Sequence, residues 1–354
     1  MNEGRRSEAP TSLSILQYFK RAARLPVQEL IRRCGSLAWR LTRNIVVVQK
    51  LVQTADSLGK APHFLVMTQK LGDIIAAETV IDEVKKENDY LVWVCETRYS
   101  SLLRWHPKID AILEVSSYSE AVLLSRLIRN FRWTRLGIDE TLCNTFGLKI
   151  RNKNAVGINA RNFYDFGSLA DVYSLIASGK TISRHPALYP APSFDTRAWM
   201  IKSFKKPDLP ILAVHFLSDE YARSWSTAGA LEFRTWLLSS DTKFNIIEFG
   251  LTPLIEPTES IQHIKGEISL DAQAALLKCA TIFIGVDSGF AHMANALTIP
   301  SILLIGQWGG VKDYLPWRIR KNDIVIRAQE QAFQIKTESV IRAIETLCHV
   351  TSHS

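Results

Sequence analysis

From residue 61 onward the chain alternates two hydrophobic patterns. Short apolar runs rich in β-branched residues predict strands: HFLVM (63–67), YLVWVCE (90–96), IDAILEV (109–115), ILAVHF (211–216), FNIIEFG (244–250), ATIFIGV (280–286) and SILLIG (301–306). Runs apolar on both faces are the pattern of a buried parallel sheet. Helical spacing predicts helices over 74–87, 119–130, 168–178, 226–238, 270–278 and 337–347. NAVGINA (154–160) and DIVIRA (323–328) predict two further strands. Residues 184–210 hold five prolines, Pro186, Pro190, Pro192, Pro207 and Pro210, and mark a boundary between domains. The expected architecture is α/β: two successive parallel-sheet domains with a cleft between them.

The stretch GVDSGFAHMANALTIPSILLIG (285–306) reads strand, polar turn, helix, strand. Asp287 and Ser288 can cap the helix, Gly289 gives the turn backbone freedom, and His292 lies one turn in. Such a turn, at the carboxyl end of a strand and the N-terminus of a helix, suits an anionic ligand. The plainer alternative is a cap and a satisfied core histidine.

Each half has one such strand-to-helix turn. In LVMTQKLGDIIAA, Gly72 frees the backbone and Asp73 stands at the helix start. There it is either a cap stabilised by the helix dipole or a general base facing the cleft. In HFLSDEYARSWS, Ser218 offers a hydroxyl and Arg223 a forked cation suited to diphosphate oxygens. Trp225 is expected to pack the following helix onto the sheet.

Composition adds a charge asymmetry. Residues 1–60 hold 11 Lys/Arg against 4 Asp/Glu, whereas the other 294 residues hold 32 against 31. In the basic segment Leu13, Leu16, Phe19, Leu30, Ile31, Leu37, Trp39 and Leu41 recur at roughly helical spacing among Lys20, Arg21, Arg24, Arg32, Arg33, Arg40 and Arg43. Residues 11–50 fit either an anionic membrane surface or a helix packed on its own protein. No recognition motif accompanies the charge, so nucleic acid is not expected. Five scattered cysteines without a CxxC pair suit a reducing compartment. No apolar run approaches the ~20 residues of a membrane span, and the expected location is cytoplasmic, peripheral at the inner membrane in the lipid-binding reading.

Several chemistries lack their motifs. There is no GxGxxG after a strand, no GxxxxGK[ST], no HExxH, no GxSxG and no Asp-x-Asp. No cofactor and no metal are expected, so diphosphate charge would fall to helix N-termini and Arg223.

LGDIIAAETVIDEVKKEN, the HFLSDEYARSW loop, KGEISLDAQAALLKCATIFIGVDSGFAHMANALTIPSILLIG and the final helix resemble, in order, glycosyltransferase family 9, which contains the ADP-heptose:lipopolysaccharide heptosyltransferases. The resemblance covers roughly residues 61–350. It implies a GT-B fold, two Rossmann-like domains facing a central cleft, and metal-independent inverting sugar transfer. The implied layout is a basic extension (1–60), an acceptor domain (61–205), a nucleotide-sugar donor domain (206–330) and a C-terminal helix (331–354) returning toward the first domain. By residue matching Asp73 corresponds to the catalytic base. Ser218, Arg223, Ser269, Leu270, Asp287, Ser288, Gly289 and His292 correspond to donor-binding positions. The implied partners are a nucleotide-sugar donor and a glycan or glycolipid acceptor. The chain departs from the family at Thr79, where a proline is common, at Arg223, where a lysine is usual, and at His215-Phe216-Leu217. Those departures leave room for a catalytically silent nucleotide-sugar-binding or assembly protein, or for a GT-B epimerase.

Overall fold

The computed structural model describes residues 27–138, 140–143, 148–151, 154–239, 244–307 and 314–351. Leu13, Leu16, Phe19, Lys20, Arg21 and Arg24 of the basic segment lie outside the described residues. Two compact units emerge, and neither is one continuous piece of chain. The first takes the described residues up to Gln69 together with Lys85–Thr97 and Asp110–Phe163. The second takes Lys70–Val84, Arg98–Ile109 and the described residues from Tyr164 onward.

The first unit begins with the long helix α1 (Val27–Ser57). It continues through strand β1 (Ala61–Val66). Helices α2 (Leu71–Ala77) and α3 (Ile81–Val84) follow in sequence but belong to the second unit. Strand β2 (Asp89–Glu96) is buried along its whole length. Helix α4 (Ser100–Leu103) again belongs to the second unit, and the first continues with strand β3 (Ala111–Val115), helix α5 (Tyr118–Leu127) and strand β4 (Arg132–Arg135). The sheet is parallel, in order β3-β2-β1-β4. An antiparallel pair, β5 (Glu140–Cys143) and β6 (Leu148–Arg151), stands beside it in sequence.

One side of α1 belongs to this unit's core. Val48 and Ala55 are buried with Phe64, Val66, Val92 and Leu113, and Leu41, Ile45, Leu51 and Val52 pack against them. Asn44 donates to Glu120 at 2.6 Å, and Arg40 pairs with the same buried carboxylate at 3.5 Å. The helix that sequence reading left open between membrane and protein is therefore docked along this side.

The second unit adds helices α6 (Leu169–Ser178) and α7 (Thr196–Ser203), then strand β7 (Ile211–His215) and helix α8 (Thr227–Ser239). Strands β8 (Asn245–Phe249) and β9 (Ile261–Ile264), helix α9 (Leu270–Lys278) and strand β10 (Ile282–Val286) follow. Helix α10 (Gly289–Ala296), strands β11 (Ser301–Ile305) and β12 (Ile324–Arg327) and helix α11 (Thr337–Thr351) complete it. All six strands are parallel, in order β12-β11-β10-β7-β8-β9. In chain order this is the doubly wound 3-2-1-4-5-6 arrangement. Its strand order reverses between β7 and β10, where such sheets bind ligands. Trp225 is buried as expected, and its indole N–H donates to the Ile335 carbonyl at 2.8 Å, tying the loop after β7 to the residues before α11. Val340, Ile344 and Leu347 of α11 complete the same core.

The predicted strand at 154–160 is not one. The Asn154 side chain accepts from Ile158 N–H at 3.0 Å and donates to its carbonyl at 2.7 Å, while Gly157 takes φ 71°. The side chain claims the backbone groups that a ladder would need. The expected helix 74–87 is also broken, into α2, a 3₁₀ turn (Glu78–Val80) and α3. At that break the buried Thr79 hydroxyl donates to the Ala76 carbonyl at 3.0 Å, a back-bond that bends helices.

Candidate functional site

Strands β7 and β10 end side by side, with Gly285 opposite His215. The chain leaving β7 carries Ser218 and Arg223, and the chain leaving β10 carries Asp287 to His292. The second unit also contains the helix that bears Asp73.

The loop after β7 is self-bonded. Ser218 N–H donates to the Ser224 hydroxyl at 2.9 Å, and that hydroxyl reaches the Glu220 carbonyl at 3.3 Å. The loop closes in a 3₁₀ turn (Tyr221–Arg223) that turns Arg223 inward. Arg223 meets Asp287 at 3.3 Å and Glu220 at 3.4 Å, while its Nε is buried with no hydrogen-bond partner among the described residues. Burial raises the Asp287 carboxyl above the usual aspartate range, and Arg223 opposes the rise.

Ser288 sits at the N-cap of α10, its hydroxyl 3.5 Å from Ala291 N–H. The glycines expected to free the backbone serve a different purpose. Neither Gly72 nor Gly289 is among the positive-φ residues. A Cβ on Gly289 would stand 2.7 Å from Leu71 Cδ2, and one on Gly72 would stand 2.7 Å from His292 Cδ2. Each glycine lets the N-terminus of one helix touch a residue of the other, so α2 and α10 abut at their first turns. His292 is buried, edge-on to Trp317 with ring centroids 5.1 Å apart. Burial first, then the Arg223 charge, push its pKa down to about 3, so the imidazole is neutral at ordinary pH.

Asp73 is the third residue of α2. Its Oδ2 accepts Lys70 N–H at 3.1 Å, which makes it a helix cap as well as a candidate base. Its Oδ1 accepts the Tyr173 hydroxyl at 2.5 Å. Burial raises the Asp73 carboxyl above the usual range. The Tyr173 bond, then Lys70, oppose this, and the Asp287 charge adds to the rise. Tyr173 is wholly buried in α6, and its own pKa is raised by burial and by Asp73. Beside them Lys70 Nζ bridges to Asp219 at 2.9 Å, both side chains exposed. One wall of this region is set by Arg318, which donates to Asp171 of α6, to the Ile182 carbonyl and, at 2.7 Å, to the Arg184 carbonyl.

Asp73, Arg223, Asp287, Ser288, Gly289 and His292 thus share one cluster, with Ser218 at the base of the Arg223 loop. Ser269 and Leu270 open α9 after the edge strand β9, and Ser269 makes no capping bond from its side chain. They share the carboxyl edge of the sheet but are not tied into the cluster. Sequence reasoning missed Lys70, Tyr173 and Trp317. Lys70 directly precedes the LGD turn and was legible as a cation beside it. Tyr173 stands 100 residues from Asp73, and nothing local announces the pair.

Residues 218–341 match the family model described as Glycosyltransferase family 9 (heptosyltransferase). Over that span the chain is similar to glycosyltransferase family 9. The family 9 span contains every donor-side candidate from Ser218 to His292, and Asp73 lies outside it. No curated protein matches the chain in sequence. Solved structures agree in fold. A family 9 glycosyl transferase from Veillonella parvula is 14% identical with TM-score 0.62, covering 81% of this chain and 97% of its own. The E. coli ADP-heptose lps heptosyltransferase II is 15% identical with TM-score 0.61, covering 82% of this chain and 100% of its own. TibC of enterotoxigenic E. coli, described as an iron-containing dodecameric glycosyltransferase, is 14% identical with TM-score 0.51, covering 82% and 77%. The parallel sheets of the two units are Rossmann-like, and the chain shares the GT-B fold of these structures.

Proposed function

We propose that the chain moves a sugar, of heptose or hexose type, from a nucleoside-diphosphate donor to a hydroxyl of a glycan or lipopolysaccharide-type acceptor, with inversion. The observation that carries this reading is the juxtaposition of Asp73 with the Asp287–His292 turn through the abutting first turns of α2 and α10. The heptosyltransferase description of the family and the ADP-heptose enzyme among the structural relatives favour an ADP-heptose-like donor.

In this mechanism the acceptor O–H gives its proton to Asp73 as the oxygen attacks the anomeric carbon. The bond from that carbon to the diphosphate oxygen breaks, and nucleoside diphosphate leaves with the electron pair. Attack from the face opposite the leaving group inverts the centre. Arg223 and Lys70 supply positive charge, and the N–H groups at the head of α10 point at the same charge. Neutral His292 donates a hydrogen bond rather than a proton. Tyr173 holds one Asp73 oxygen and keeps the carboxylate ionisable in a buried setting.

Metal-independent transfer is part of the proposal. Its support is the cation set at the turn. Among the described residues no group of three His, Cys, Asp or Glu side chains could hold a metal. The iron of TibC makes the point worth measuring. Transfer should persist in EDTA, and loss that is restored by Mg²⁺, Mn²⁺ or Fe²⁺ would reject this part of the proposal. A thermal-shift panel of nucleotide sugars identifies the donor: at 100 times Kd a true ligand adds about 2.7 kcal/mol to stability.

A second reading has one observation behind it. Both Asp73 oxygens are already bonded, to Lys70 N–H and to Tyr173, as a purely structural cap would be. In that reading the chain binds a nucleotide sugar without transferring it. Donor binding without turnover would favour it.

The proposed acceptor is carried on lipid at the cytoplasmic face of the inner membrane, with the protein peripheral to it. No helix among the described residues is long and apolar enough to cross a membrane.

A further inference from the structure

Helix α1 has two faces, and among the described residues only one packs into the core. At 100° per residue, Asn44, Val48 and Ala55 lie within about 40° of one another on the docked face. Ile31, Trp39 and Val46 fall within about 80° of each other on the opposite side. Those three are 66%, 71% and 47% exposed. Arg32, Arg43 and Lys50 lie within about 40° of Trp39 around the helix. Between Ile31 and Lys50 the helix carries five Lys/Arg and no Asp/Glu. Arg32 bonds Glu29 at 2.7 Å, whereas Arg43 and Lys50 form no ion pair among the described residues.

We infer that this outer face is a docking surface for an anionic lipid bilayer. An exposed indole and two β-branched side chains need hydrocarbon, and the flanking cations need anions at the same depth. A bilayer surface of acidic lipids supplies both in one plane. A nucleic acid would meet the cations and leave Ile31 and Val46 in water. A second copy of this face would set like charges against each other. The docked side fixes the helix on its sheet, so the outer stripe is presented as a ready surface spanning about 29 Å from Ile31 to Lys50. This deepens the reading of a lipid-borne acceptor. Vesicle binding is measured without donor or acceptor, so it can fail while transfer stands, and the reverse.

The test uses the full chain, with vesicles of phosphatidylcholine alone and of phosphatidylcholine with phosphatidylglycerol. Two double variants are compared, Ile31→Ser with Trp39→Ser and Arg43→Gln with Lys50→Gln. Leu238→Ser, at an exposed apolar site in the second unit, is the control. The wild type and the control should co-sediment with acidic vesicles in low salt and release as salt rises. Each double variant should lose about tenfold or more in affinity, with circular dichroism unchanged. Three results would overturn the inference: equal binding to neutral vesicles, full retention by the Ile31/Trp39 variant, or a DNA duplex bound in place of acidic vesicles. A dimer that the Ile31/Trp39 variant dissolves, without vesicle binding, would also overturn it and make the face a contact between copies.

Discussion

Gly72 lies against the imidazole of His292, so closely that a Cβ there would stand 2.7 Å from Cδ2 and 2.9 Å from Nε2. The contact joins the turn that bears Asp73 to the turn that bears Asp287 and Ser288. Gly72→Ala forces the ring aside within a packed wall that includes Trp317. Overpacking of this kind costs about 1–3 kcal/mol. The expected result is a lowered Tm together with weaker donor binding, read by denaturation and calorimetry. An alanine variant with wild-type stability and donor affinity would mean that the two turns are not held in this register.

Tyr173 and Asp73 give a pH prediction. The Tyr173 hydroxyl bond stabilises the ionised carboxylate and so opposes the rise that burial imposes on Asp73. Tyr173→Phe removes that opposition, and the Asp73 pKa moves further up. The base must be deprotonated to act, so the acid limb of the kcat/KM profile should shift to higher pH while the plateau is largely kept. A purely structural role for Tyr173 would lower the whole profile without moving its limb.

Phosphate charge should be separable from the rest of donor recognition. Arg223→Ala and Lys70→Ala are expected to weaken nucleoside-diphosphate binding more than binding of the bare nucleoside. Arg223 should lose more, because it is largely buried and its guanidinium can engage phosphate through two parallel bonds. Lys70 starts in an exposed pair with Asp219, which is worth little to the fold. Isothermal titration with both ligands checks this, and equal losses for both ligands would place Arg223 and Lys70 away from the diphosphate.

Much of this arrangement is legible in the sequence because strand and helix periods are local. The six-stranded sheet follows from apolar runs, and five of its strands lie within the predicted segments. β9 was missed because IQHI is short and half polar, and β4 because RWTR holds too few apolar residues to stand out. The turn at 287–292 is legible because cap, glycine and histidine are consecutive. The reason for its glycine was not, since the crowding comes from Leu71, more than two hundred residues earlier. The same limit hid Tyr173, whose partner is set by packing of α6 rather than by spacing. The amphipathic character of α1 was readable, but which face docks depends on Asn44 reaching Glu120.

The central claim is that Asp73 is the base and not only a cap, and Asp73→Asn tests it most directly. Asparagine keeps its one oxygen for Lys70 N–H and turns its NH2 to the Tyr173 hydroxyl, which can rotate to accept, but it cannot take a proton. Because the folded-state pKa of Asp73 is raised, stability falls as pH rises through the range between the unfolded and folded values. At neutral pH the fold carries the cost of the ionised group, so the variant should be at least as stable as the wild type. With a nucleotide-sugar donor identified by thermal shift and an acceptor in hand, transfer should drop by about 10²–10⁴-fold while the donor Kd stays within about twofold. Unchanged turnover in a folded, donor-binding variant would contradict the account and leave Asp73 as a helix cap.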